Sequence, residues 1–78
     1  MEITEEISEE LRAAGYTAEA LLDIHDPEDQ VELAQLVDAQ RAEKPLDIDG
    51  IHYFVGPSEH SDMFGIVSYP LRRAPDAS

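Results

Sequence analysis

The chain has no cysteine and no tryptophan, and Lys44 is its only lysine. Without thiols it can build neither a disulfide framework nor a thiolate metal site, which excludes the staples of small secreted scaffolds and points to a reducing cytoplasm. No basic segment followed by an apolar run opens the sequence, and no apolar stretch approaches membrane-spanning length. Positive charge is the scarcest commodity: five Lys and Arg stand against eighteen Asp and Glu, for a net charge of −13 and a pI near 4.2. Nucleic acid and anionic membranes would repel such a surface, so direct binding to either is disfavoured. Arg72 and Arg73 near Tyr69 form one basic pair, too little to hold a polyanion against that excess.

Catalytic signatures are missing as well. There is no GxSxG, no glycine-rich phosphate loop and no His-x-x-x-His pair, and a chain this short has little volume with which to enclose a substrate. These absences argue against an enzyme and against a cofactor. Glu59, His60 and Asp62, with His52 upstream, are residue types that can bind a divalent cation, but their spacing is not diagnostic. A solvated loop accounts for them.

What is present is anion and a modest core. Seventy-eight residues at 42% hydrophobic content suit one small domain over 1–78, with 72–78 as a fraying tail. Glu2, Glu5, Glu6, Glu9 and Glu10 precede Gly15, a favoured helix terminator, and Ile3, Ile7, Leu11 and Ala14 recur at helical spacing. This predicts a helix over 5–14, started by Thr4, with one apolar and one acidic face. A short second helix is expected over 18–25, with His25 meeting the dipole at its end. Asp26-Pro27-Glu28-Asp29 is a strong start for a third, over 27–43, since aspartate caps, proline suits the first helical position and acids suit the first turn. Leu33, Leu36, Val37 and Gln40 share one face of it.

After Pro45 the pattern alternates. Strands are expected over 46–48 and 51–55 around an Asp49-Gly50 turn, then a loop from Gly56 to Asp62, then a strand over 63–69 ended by Pro70. The predicted fold class is α+β: three N-terminal helices packed on a C-terminal three-stranded antiparallel meander. Neither face of that sheet is cleanly polar, which suggests a homodimer through Phe54, Phe64 and Tyr69.

The acidic surface can be compared with a polyanion. Residues 2–10 as helix would span ~12 Å with five carboxylates, about one per 2–3 Å, against one charge per ~1.7 Å of duplex DNA. The acids at Glu2, Glu5, Glu6, Glu9, Glu10, Asp26, Glu28, Asp29 and Glu32 are therefore the candidate partner-binding residues. In charge, size and mixed helix and sheet content the chain resembles the small acidic DNA-mimic proteins of phages and mobile elements, such as anti-restriction and anti-CRISPR inhibitors. That resemblance implies a non-enzymatic inhibitor of a basic nucleic-acid-binding protein, for instance a CRISPR effector or restriction enzyme. Two competing expectations are a small structural or regulatory domain adapted to a salty cytoplasm, and an antitoxin-like module that binds through its apolar sheet face.

Overall fold

The computed structural model describes residues 1–61 and 65–75. Among these residues, two helices and six strands follow one another as β1 (Glu2–Thr4), α1 (Glu9–Ala13), β2 (Ala18–Asp23), α2 (Pro27–Ala42), β3 (Leu46–Ile48), β4 (Ile51–Val55), β5 (Glu59–Ser61) and β6 (Ile66–Arg73). All strand pairs are antiparallel, in the order β1-β2-β6-β4-β3, with β5 also paired to β6. The sheet curls, so that Met1 at one edge and Leu46 to Asp49 at the other line a common hollow with Glu32 and Gln35 of α2.

This corrects the three-helix, three-stranded expectation at several places. The segment expected as a helix over 18–25 is strand β2, and His25 lies in a turn after it with no helix end to cap. Ala, Glu and Leu favour helix individually, but Ala18, Ala20 and Leu22 are almost wholly buried at every second position. Packing overrides a preference of a few tenths of a kcal/mol per residue. Two alanines there let α2 lie close to the centre of the sheet.

The expected 5–14 helix shrinks to α1, because Glu2 to Thr4 are drawn into the sheet against Leu21, Ala20 and Glu19. Thr4 accepts a hydrogen bond from the Glu6 amide at 3.1 Å, a local turn, and the helix cap falls instead to Ser8, whose hydroxyl accepts from the Leu11 amide at 3.3 Å. Gly15 takes φ +97 just past α1, the left-handed conformation that ends a helix.

The 27–43 helix forms as α2. Asp26 caps it by accepting from the Glu28 amide at 2.9 Å, and Glu43 closes it at φ 53 before Pro45. Leu36 is fully buried, Leu33 and Val37 pack against the core, and Gln40 donates to the Gly56 carbonyl at 3.0 Å. Strands 46–48 and 51–55 form as expected around Asp49 and Gly50, both at positive φ.

The last strand runs over 66–73, not 63–69, and Pro70 is buried inside it. Residues 62–64 of the expected strand and loop lie outside the described residues. Between the pairs Val55↔Leu71 and Glu59↔Ser68, three residues on one side face two on the other, which is a bulge. The Pro70 carbonyl accepts from the Gly56 amide at 2.8 Å. A residue's amide and carbonyl leave a strand on the same side, so the N–H that proline lacks would have pointed at this bulge. The proline is thus accommodated without a broken ladder. Glu59 to Ser61, expected as loop, then resume pairing as β5. Arg72 and Arg73, expected in a frayed tail, are strand residues, while 76–78 lie outside the described residues.

Candidate functional site

Register decides where the acids point. Ile3, Ala20 and Leu22 turn toward α2 and the core, so Glu2 and Thr4 of β1, and Glu19, Leu21 and Asp23 of β2, turn to the opposite, outer face. Glu2, Glu5, Glu6, Glu9, Glu10, Asp26 and Glu28 are exposed, and Glu19 and Asp23 are half-buried.

The five acids expected on one N-terminal helix, Glu2, Glu5, Glu6, Glu9 and Glu10, are therefore divided between β1, the segment after it and α1. Glu5, Glu6, Glu9 and Glu10 sit around α1 at one end of the β1–β2 pair, and Asp26 and Glu28 sit at its other end, where α2 begins. Glu2 lies between them on the outer face. Glu19 and Asp23 join it there, about 13 Å apart along β2. Asp23 belongs to the acidic run that continues through Asp26 and Glu28, whereas Glu19 was not among the candidates, although its alternation with Ala18 and Ala20 was the available signal. The ~12 Å helical stripe over residues 2–10 is replaced by a band crossing a sheet edge.

Asp29 and Glu32 stand apart from that band. Asp29 is buried at 8% exposure and accepts from the Met1 ammonium, while its second oxygen accepts from the Asp23 amide at 2.8 Å. Glu32, half-buried, accepts from the same ammonium at 3.2 Å. The hydrogen bond to the ammonium, then that to the Asp23 amide, holds the Asp29 carboxyl below its ordinary range. Asp29 in turn raises the Met1 amine above its usual value, with Glu32 adding to it and desolvation opposing. One buried carboxylate thus ties β1, the end of β2 and the start of α2 together.

The apolar trio proposed for a dimer does not share a face. Tyr69 is buried toward α2, Phe54 pairs with Arg72 on the outer face, and Phe64 lies outside the described residues. Leu21 and Ile66 also lie on the outer face, paired across the strands with Ser68 and Asp23, and Leu21 also with Glu2. Of the candidate cation ligands, His52 faces Asp47 across the β3–β4 hairpin at 4.0 Å. Asp62 lies outside the described residues, and no group of three or more His, Asp or Glu is placed to hold a metal among the described ones. Among the same residues, no helix is long and apolar enough to cross a membrane. The chain matches no family model, no curated protein and no solved structure.

Proposed function

We propose that this chain is a non-enzymatic acidic binding protein that occupies the nucleic-acid channel of a basic protein, with a CRISPR effector or restriction enzyme as the class of target. The observation that carries it is the outer-face register of β1 and β2. It sets Glu2, Glu19 and Asp23 along about 13 Å of strand, between the α1 acids at one end and Asp26 and Glu28 at the other. The three carboxylates stand about 6.6 Å apart along the strand direction, roughly one for every two phosphates of a single DNA strand at ~3.4 Å per phosphate. A channel built to release counterions from a phosphate backbone would release them from this band as well.

The test is capture of partners from host lysate on the immobilised chain at low and high salt, followed by challenge with duplex DNA. A basic protein held at low salt, released by salt and displaced by DNA is the expected result. Capture that ignores both salt and DNA would remove the charge-mimicry explanation.

A further inference from the structure

The cations of this protein are as informative as its anions. Among the described residues, none of the five Lys and Arg side chains lies within 4.0 Å of a carboxylate, although acids outnumber them more than threefold. Arg72 is the most constrained of them. Its guanidinium sits 5.4 Å from the centre of the Phe54 ring, and its stem passes close to Gly15. Arg72 and Phe54 face a hollow of about 420 Å³, walled also by Tyr16, Val55, Pro57 and the last turn of α2. That volume is in the range of small-ligand sites. Gly56 lets the Tyr16 ring that walls the hollow lie directly on the backbone, since a Cβ there would stand 2.6 Å from the Tyr16 hydroxyl.

An unpaired guanidinium braced on an aromatic ring, beside apolar and aromatic walls, suits one ligand chemistry. We infer that this hollow binds a small planar ring carrying a single oxyanion, the anion on Arg72 and the ring against Phe54, Pro57 and Tyr16. Guanidinium forks match carboxylate and phosphate oxygens, and flat rings stack on aromatic faces. The overall charge does not forbid it, since at physiological ionic strength charges beyond ~8 Å are largely screened. Glu43, at the α2 wall, can accept from an N–H on the ring and would disfavour a polyanion. A nucleoside monophosphate and an aromatic carboxylate are the two sources of such a group.

The experiment is an NMR titration of the whole chain at physiological salt with adenosine monophosphate and with indole-3-acetate, using inorganic phosphate, acetate and adenosine as part-ligands. At least one ring-bearing anion should shift the Gly15, Gly56 and Phe54 amides saturably, at concentrations where the part-ligands do not. Arg72→Ala should weaken that binding about tenfold or more. Phe54→Leu should weaken it roughly three- to tenfold. Arg73→Ala removes the same charge from the other sheet face, away from the Phe54 side, and should leave affinity unchanged. Unaltered amide spectra elsewhere show that each variant is folded. No saturable shift with either ring, equal shifts from bare phosphate or acetate, or equal losses in the Arg72 and Arg73 variants would overturn the assignment.

Discussion

Asp29 is the one buried charge among the described residues, and its partner is an amine, so stability should depend on pH from both sides. The amine's pKa is raised, so its contribution is complete below the ordinary value of 8.0 and is lost as pH climbs through the higher folded value. The Asp29 pKa is lowered, so its contribution is complete above the ordinary 3.8 and is lost as pH falls through the lower folded value. Between them lies a plateau. Thermal melts from about pH 7 to 9.5, where few other groups titrate, should show the melting temperature falling, and Asp29→Asn should lower the plateau and flatten that fall. An equally steep alkaline fall in the variant would mean that the pair does not anchor β1. Gly56 supplies a steric counterpart: Gly56→Ala should cost about 1–3 kcal/mol by driving the Tyr16 ring from its place. In a Tyr16→Ala background the same substitution should cost little, a coupling that urea denaturation of the four variants would measure.

At the scale of elements, legibility followed how local the cause was. α2 and the β3–β4 hairpin could be seen in advance because Asp26-Pro27, Lys44-Pro45 and Asp49-Gly50 act within a few residues of themselves. β1, β2 and the register of β6 could not, because their causes are distant in the chain. Ala18 to Asp23 is helical by composition and becomes a strand only when β6 pairs along it and α2 covers Ala20. Pro70 reads as a stop until a bulge forms twelve and more residues earlier in the chain to face it. The acidic candidates were legible as residue types, but their grouping across a sheet edge was not, since it depends on that same β1–β2 pairing. Two outcomes follow. Ala20 is fully buried under α2, so Ala20→Leu should destabilise by about 1–3 kcal/mol in denaturant melts, whereas on an amphipathic surface helix it would be tolerated. And α1, five residues long, lacks the length to hold itself, so its amides should lose protection from hydrogen exchange well before those of α2 and β2.

On the scale of the molecule, a charge of −13 acts against the compact state through self-repulsion, and its distribution separates a binding surface from mere solvation. Consider two triple substitutions that change net charge equally. Glu5→Lys, Glu9→Lys and Glu28→Lys alter the two ends of the outer-face band. Asp38→Lys, Glu43→Lys and Asp49→Lys alter exposed positions on α2 and the hairpin turn, outside that band. If carboxylates serve only solvation in concentrated salt, the two sets should behave alike, and the unsubstituted domain should lose its fold when screening is removed in dilute buffer, a change circular dichroism would record. If the band is what a cationic channel grips, the domain should stay folded in dilute buffer. Only the band set should then weaken capture of a basic partner and make what remains less dependent on salt, because each carboxylate removed takes one partner cation's contact with it. Equal loss from both sets would reduce the interaction to net charge, and the placement of Glu2, Glu19 and Asp23 would have no part in it.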